Sequence, residues 1–553
     1  MINLTVTPDR SRLIVRFPYD EQLVAKVKLI TGRVWNRKLN GWLLPFTKEL
    51  ATEIPAILGA PVQVDPYIFE HAVRQEKQQQ LVMQEIATDA PVSLPNDIIF
   101  NIQPFEHQKR AISLCYRHKS FALFMEMGTG KTKCLVDLMG YWAIHLTGTP
   151  ALVICPVTVM DNWSNEIKAN QPLLSVTVLS GTSAQRLAAL QRGRLESTQV
   201  FIINYESFWR LEAEFIKYQW GMMVLDESTK IKHRASKQAK AILRMGERCN
   251  RKYIMTGTPS PNSPLELFNQ LRFLDPTIFG TNWYSFRDRY AVMGGYQGYQ
   301  VIGWKNLKEL SMKLAGISYR VLKKDCLDLP PKLYKEYRLE MGPKLKEIYK
   351  SLTEDLVAEV NGQMISATVI LAKLTKLRQI TSGFVYGNDG VAMAMPENPK
   401  LAQLKELIET IKGHKVVIWC NFRHEITMIK KEYPHALVID GTVPQDQRQR
   451  LIDNFQEDPD ATMFLGQSHA GGLGITLTAA DYCIFFGNDY SPEIRLQCED
   501  RLHRIGQRNS VTYVDFVLKG TIDVSIKAML RKKMNLSDQI ANINLTEVAY
   551  GTC

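Results

Sequence analysis

The segment Phe124-Met-Glu-Met-Gly128-Thr-Gly130-Lys131-Thr132 ends an apolar run and opens a stretch with helical spacing. Glycines let backbone N–H groups close on a phosphate, and a helix N-terminus favours negative charge. Met127, Gly128, Thr129 and Gly130 would form the loop, Lys131 can reach β- and γ-phosphates, and Thr132 can hold Mg²⁺. Met125 stands where the full eight-residue pattern has its first glycine, and a helix-capping glycine turn is the other reading of this segment alone. Downstream, Met222-Met-Val-Leu-Asp226-Glu227-Ser-Thr229 is an apolar strand ending in two acids. An aspartate there can hold Mg²⁺, and a following glutamate can orient and deprotonate an attacking water. A bare acidic strand end is the alternative for this segment by itself. Both segments together, in this order, describe hydrolysis of a nucleoside triphosphate. Near the C-terminus, Gln497-Cys-Glu-Asp500-Arg501-Leu-His-Arg504-Ile-Gly-Gln507 places two arginines three residues apart. A helix would present them on one face, where they could stabilise charge on a transferring phosphate or form an ordinary solvated pair.

These groups need strands and helices to hold them. Short apolar β-type runs alternate with amphipathic helices at Ser120–Glu126, Ala151–Cys155, Gln199–Asn204, Gly221–Leu225 and Tyr253–Thr256. The rhythm predicts a parallel-sheet α/β domain. It pauses over residues 262–395, which read as more helical, and returns at Lys415–Cys420, Ala436–Asp440, Thr462–Leu465, Tyr482–Phe486 and Ser510–Val517. Ahead of both lies a small α+β module with alternating runs (Leu4-Thr-Val6, Leu13-Ile-Val15-Arg-Phe17), followed by a Gln-rich helical connector.

Composition removes other classes. The chain of 553 residues is 45% hydrophobic and 22% charged, with a net charge of +12. That length suits several domains, and the balance is that of a folded protein. Residues 1–50 hold nine Lys/Arg against four Asp/Glu, and residues 51–100 hold two against seven. The remaining chain therefore carries the whole surplus, which permits a polyanionic partner. No run approaches the ~18–20 apolar residues of a membrane span, and the N-terminus lacks signal-peptide architecture. A cytoplasmic protein of bacterial or bacteriophage origin is expected. The nine cysteines form no C-x-x-C pair and read as reduced core thiols, with no zinc site or disulfide.

Taken in order, the segments resemble a superfamily 2 helicase-type motor, specifically the Swi/Snf-type branch of double-stranded DNA translocases. The marks are Asp500-Arg-Leu-His-Arg-Ile-Gly-Gln507, Gly471-Gly-Leu-Gly-Ile-Thr-Leu-Thr-Ala-Ala-Asp481 and Met255-Thr-Gly-Thr-Pro259. Arg320-x-x-Lys323 with Leu329-Pro-Pro-Lys332, and Leu377-Arg-Gln-Ile-Thr-Ser-Gly383, also match, so the resemblance covers about residues 100–535. It implies two RecA-like parallel-sheet lobes with helical insertions and a small α+β N-terminal domain. The expected divisions are 1–67, a connector 68–98, lobe one 99–275, insertions and linker 276–395, lobe two 396–520 and a basic helix and tail 521–553.

The resemblance also implies site roles, with ATP and Mg²⁺ as the ligands. Lys131, Asp226, Glu227, Arg501 and Arg504 would be catalytic, with Thr132 and Asp226 holding the metal. Gln108 would read the adenine edge, and Gly474 would join the nucleotide site. Pro156, Thr158, Asn204, Tyr205, Asn421, Ser468 and Thr476 would line a nucleic-acid track, and Thr256-Gly257-Thr258 would couple hydrolysis to domain motion. Trp163 matches a family tryptophan, for which a core role is expected. Three positions depart from the pattern: Thr229 replaces the usual histidine, Tyr490-Ser-Pro492 replaces Trp-Asn-Pro, and Arg495 occupies a usually acidic place. Lys230–Lys252 holds nine Lys/Arg and one acid, either a solvated face or a phosphate contact.

The N-terminal module resembles the HARP domain of annealing-helicase-type translocases through Arg16-Phe-Pro-Tyr19, Val34-Trp35-Asn-Arg-Lys38 and Gly41-Trp42-Leu-Leu-Pro45. Trp35 and Lys38 would then face DNA, unless both tryptophans are core. The implied function is an ATP-dependent translocase on double-stranded or branched DNA, with annealing or branch migration as the outcome. An ATP-gated DNA- or protein-binding switch and a strand-separating helicase are the rivals, and nucleosome remodelling is the least favoured.

Overall fold

The computed structural model describes all residues except 1, 8–11, 31–32, 47, 88–91, 146–148, 296–297, 363–366, 388, 470–474 and 542–553. The chain forms two compact units, Met1–Cys326 with Leu536–Cys553, and Leu327–Asn535.

The first unit opens with strands β1 (Ile2–Val6), β2 (Arg12–Arg16), β3 (Val34–Asn36), β4 (Gly41–Pro45) and β5 (Val62–Val64). They form one sheet in the order β3-β4-β2-β1-β5, with β1 antiparallel to β2 and parallel to β5. The alternating residues Leu4, Leu13, Val15 and Leu44 are buried, and Val27 joins them from the helix Glu21–Leu29. Asp20 caps that helix by accepting the Leu23 N–H at 2.9 Å. A Cβ at Gly41 would stand 2.6 Å from Ile14 Cγ2, so the sheet requires glycine there. The helix Pro66–Ala87 follows, where the Gln-rich connector is expected.

The large sheet of unit one uses β6 (Ser120–Met125), β7 (Ala151–Cys155), β8 (Val176–Val178), β9 (Val200–Asn204), β10 (Trp220–Asp226) and β11 (Cys249–Met255). A hairpin, β12 (Ala291–Gly294) and β13 (Gln300–Trp304), precedes a last strand, β14 (Ser318–Val321). The sheet order is β14-β6-β11-β10-β7-β9-β8, and every pairing is parallel. All of β7, β9 and β10 is buried, as helices on both faces of a parallel sheet require.

Unit two contains β15 (Lys332–Leu339), a small hairpin of β16 (Phe384–Tyr386) and β17 (Ala392–Ala394), then β18 (Val416–Cys420), β19 (Leu437–Ile439), β20 (Met463–Gln467), β21 (Tyr482–Phe485) and β22 (Val511–Leu518). Its parallel sheet runs β15-β22-β21-β18-β20-β19. Both sheets are RecA-like, so the expected class stands: α/β, two parallel-sheet lobes with helical insertions and a small α+β N-terminal domain.

The span 276–395 differs from the helical linker expected of it. It supplies an edge strand to each large sheet, β14 beside β6 and β15 beside β22. The eight described cysteines are free thiols, seven of them buried, and burial pushes those of Cys115, Cys155, Cys420 and Cys483 far up. Among the described residues no helix is long and apolar enough to cross a membrane, and no His/Cys/Asp/Glu group could hold a metal as a cluster.

Candidate active site

Three strands that are neighbours in the sheet, β6, β11 and β10, each end in one of the singled-out segments. Adjacent strands lie about 5 Å apart. The topology therefore brings the phosphate-type loop, Thr256–Thr258 and Asp226–Glu227 side by side at the carboxyl ends of a parallel sheet, where open α/β sheets bind ligands.

After β6 the loop turns through Gly128 (φ +83°) and Gly130 (φ +85°), left-handed positions that favour glycine. The Thr129 hydroxyl donates to the Glu126 carbonyl at 2.7 Å. Lys131 opens the helix Lys131–His145, and its Nζ donates to the carbonyls of Met125 (2.8 Å) and Glu126 (3.2 Å). The ammonium thus stays at the mouth of the loop, with Thr132 half-buried beside it in the first turn. Glu126 is tied behind the loop, its carboxylate accepting the Lys323 N–H at 2.6 Å just past β14.

Gln108 is buried and turned into this loop. Its Nε2 donates to the Thr129 carbonyl at 3.1 Å, and its Oε1 accepts the Phe105 N–H at 3.0 Å. In this conformation the amide braces the loop. A Cβ at Gly130 would fall 2.1 Å from Gln108 Nε2. His107 Nε2 lies 2.9 Å from the same Thr129 carbonyl, a second brace that the sequence reading missed.

Asp226 closes β10 and is buried. Its Oδ2 accepts from Trp163 Nε1 at 2.8 Å, and its Oδ1 accepts the Glu227 N–H at 2.9 Å. Burial and then the neighbouring Glu227 push its carboxyl up to about 6, opposed by the Trp163 hydrogen bond and the Lys131 charge. A buried carboxyl raised in this way, with a threonine hydroxyl in the adjoining segment, offers the hard oxygen donors that Mg²⁺ takes. The residues present fit the metal: Asp226 and Thr132 would hold it, and it would neutralise phosphate charge.

Glu227 sits in the left-handed region (φ 49°, ψ 58°), which re-aims the chain after the strand. Its Oε2 accepts from the buried Thr256 Oγ1 at 3.1 Å, and that oxygen accepts the Thr258 N–H at 3.3 Å. A Cβ at Gly257 would stand 3.5 Å from Met127 Cγ, so this loop also packs on the phosphate-type loop. Lys131, Asp226, Glu227 and Thr256–Thr258 form one cluster.

In unit two the geometry departs from expectation. The helix Pro492–Asp500 ends before the two arginines, so no shared helical face presents them. Arg501 is the C-cap and is buried, and its carbonyl accepts the Leu477 N–H at 2.8 Å. Arg504 lies in the following turns, with Nη1 donating to Thr476 Oγ1 at 3.0 Å. Arg495 explains its unusual place by joining a buried network: it pairs with Glu499 (2.8 Å) and with Asp515, and it stacks on Phe485 at 3.5 Å. Lys527 also reaches Asp515, while Lys332 (3.1 Å) and the Tyr334 hydroxyl (2.8 Å) reach Glu499. Gly474 lies outside the described residues.

The residues expected on a nucleic-acid track divide by burial. Tyr205 is 0% exposed, and its hydroxyl donates to the Asp226 carbonyl at 2.7 Å. It is a brace under the acid pair and presents nothing to a track. Asn204, Asn421 and Ser468 are buried too: the Asn204 amide donates to Glu206 at 2.9 Å, and the Ser468 hydroxyl donates to the Cys420 carbonyl at 3.1 Å. The Asn204 and Asn421 amide oxygens are buried without a hydrogen-bond partner. Pro156, Thr158 and Thr476 are partly exposed. Trp35 (49% exposed) and Lys38 stand at the surface, with Trp35 edge-on to Trp42 at 5.4 Å. Trp163 is fully buried, as a core residue should be, yet it also touches the acid. Much of the basic run 230–252 is engaged locally, with Lys232 on Glu266, Arg244 on Glu212, and Lys237 and Arg251 over tryptophan rings.

The SNF2-related domain matches residues 76–383, more than half the chain, and the Helicase conserved C-terminal domain matches 399–506. Similar curated proteins include TATA-binding protein-associated factor MOT1 of Saccharomyces cerevisiae, 26% identical over 75% of this chain and 26% of its own length. Probable ATP-dependent DNA helicase CHR12 of Arabidopsis thaliana is 29% identical over 84% of this chain and 44% of its own. DNA annealing helicase and endonuclease ZRANB3 of Mus musculus is 26% identical over 81% and 41%. The chain thus spans less than half the length of each of these relatives. Among solved structures, the Sulfolobus solfataricus SWI2/SNF2 ATPase core in complex with dsDNA is 24% identical over 83% of this chain and 96% of that one, with a TM-score of 0.39. By its matched domains, the chain belongs to the SNF2-related family.

Proposed function

We propose that this protein is a DNA-dependent ATPase that translocates on double-stranded DNA and so remodels DNA or DNA–protein complexes. The observation that carries the reading is the Thr256–Glu227 hydrogen bond, which ties the acid assigned to water activation to the loop assigned to coupling. Lys131 would hold the phosphates of ATP, and Glu227 would orient and deprotonate the attacking water. Arg501 and Arg504 are assigned to the charge that develops on the transferred phosphate. Residues 1–67 are assigned a HARP-like role in which exposed Trp35 stacks on a base and Lys38 meets a phosphate, making forked or branched DNA the favoured substrate. Similarity to an annealing helicase among the relatives supports that preference. The remaining divisions are proposed as a connector 68–98, lobes 99–275 and 396–520 with insertions 276–395 between them, and a tail 521–553.

The test is ATP turnover with single-stranded, duplex, forked and four-way DNA. Stimulation by duplex and further stimulation by forks are expected, and a rate indifferent to DNA overturns the reading. Hydrolysis without displacement of a triplex strand would instead indicate an ATP-gated switch.

A further inference from the structure

The helix Leu267–Leu274 carries two adjacent amides, Asn269 and Gln270, 1% and 0% exposed among apolar neighbours. A buried amide persists where its donors and acceptors are matched. Here the partners come from the two loops that flank the acid pair. Gln270 Oε1 accepts from Ser228 Oγ at 2.7 Å, while Nε2 donates to the Pro259 carbonyl at 2.7 Å and to the Glu266 carbonyl at 3.0 Å. Asn269 Nδ2 donates to the Ile231 carbonyl at 2.8 Å. Ser228 and Ile231 are the two ends of the short turn that directly follows Glu227, and Pro259 directly follows Thr258.

We propose that Asn269 and Gln270 are positioning residues that clamp the turn behind Glu227 to the Thr256–Pro259 loop, so that the two loops shift as one body. This rests on the reading of the site as an ATPase. The clamp acts through Glu227 and touches neither nucleotide nor water. With the direct Thr256–Glu227 bond it makes two parallel ties between the same loops, one at the carboxylate and one behind it. It offers a route between acid and coupling loop that does not use position 229, where this chain has threonine in place of the histidine of the family pattern. Rigidity is needed because general-base catalysis depends on hydrogen-bond-scale placement of the carboxylate.

The experiment uses the full chain with Gln270→Met, which keeps the side-chain volume and removes the hydrogen bonds, together with Ser228→Ala and the double variant. Turnover and KM for ATP are measured at saturating duplex DNA, and amide hydrogen exchange is followed across residues 227–232 and 256–260 without nucleotide. Gln270→Met is expected to lower kcat about tenfold, roughly one decade of barrier, with KM for ATP unchanged within about twofold. Ser228→Ala lowers kcat less, and the double variant is no worse than Gln270→Met, because both act on one connection. Exchange quickens in both loops together. A full kcat in folded Gln270→Met, losses that add in the double variant, or quickening confined to one loop overturns the clamp. If the wild-type chain hydrolyses no ATP, the functional reading fails and the exchange pattern alone decides the clamp. Should Gln270→Met not fold, Ser228→Ala decides it by the same measures.

Discussion

Asp226 and Asp515 are both buried aspartates on strands of parallel sheets, one in each unit, and they sit at opposite ends of the carboxylate scale. Asp226 has a tryptophan N–H and a backbone N–H as hydrogen-bond donors, and its carboxyl is pushed up to about 6. Asp515 meets the Arg495 guanidinium and the Lys527 ammonium, which hold its carboxyl down at about 2. Burial raises both; at Asp226 the neighbouring Glu227 adds to the rise and the Lys131 charge offsets only part of it, whereas at Asp515 two cations in direct contact outweigh burial. At Asp515 the charge is matched within the chain, and the group is structural. At Asp226 the charge is only partly matched within the chain, which fits its proposed role in holding Mg²⁺.

The largest expected effect lies on the reactive side of this contrast. Glu227→Gln should cut ATP turnover at least about a hundredfold while nucleotide affinity, read by equilibrium titration, is retained. Preserved turnover would remove the distinction between the two regions. On the structural side, Arg495→Met removes one of the two cations that each of Asp515 and Glu499 meets, leaving Lys527 and Lys332, and should destabilise unit two by about 3 kcal/mol, read from denaturant unfolding. A loss well under 1 kcal/mol would mean the network is dispensable.

The pH dependences should have opposite signs. The folded value of Asp226 lies above its usual 3.8, so the ligand-free protein gains stability from this group as pH falls from about 6 towards 4. Affinity for Mg²⁺-nucleotide should weaken over that same window, because the metal needs the carboxylate. The folded value of Asp515 lies below 3.8, so its contribution is complete above about pH 4 and is lost as pH falls towards 2. Thermal melts between about pH 2 and 8, with nucleotide titrations between about pH 4 and 8, separate the two. The smallest effect is Trp163→Phe, which removes one donor from Asp226. It should cost about 1–2 kcal/mol of stability and move the midpoint of nucleotide affinity to higher pH, and an unmoved midpoint would detach Trp163 from the site.

The placement of the clustered segments is legible in the sequence where it resides in local residue types. Gly128, Gly130, Lys131 and the acid pair follow apolar strands closely, and the strands were found within a few residues of their ends. The edge strand β15 was missed because Lys332-Leu-Tyr-Lys-Glu-Tyr-Arg-Leu339 is half charged, as an edge tolerates, and carries no continuous apolar run. Strand β8, three residues long, is too short to have a pattern. Tyr205 was misplaced because burial is a property of the packed fold: nothing local distinguishes a tyrosine facing DNA from one braced under Asp226. Asn269 and Gln270 did leave a signal, two amides inside the apolar helix Leu-Phe-Asn-Gln-Leu, which binary patterning marks as polar groups in need of partners.

The left-handed backbone at Glu227 carries an evolutionary consequence. A side chain there costs roughly 1–2 kcal/mol relative to an unstrained residue, so Glu227→Gly should raise the melting temperature while removing the proposed base. A lineage or a directed-evolution campaign rewarded only for thermal endurance would drift away from glutamate at this position. Glutamate would be kept there only where the proposed hydrolysis is itself under selection.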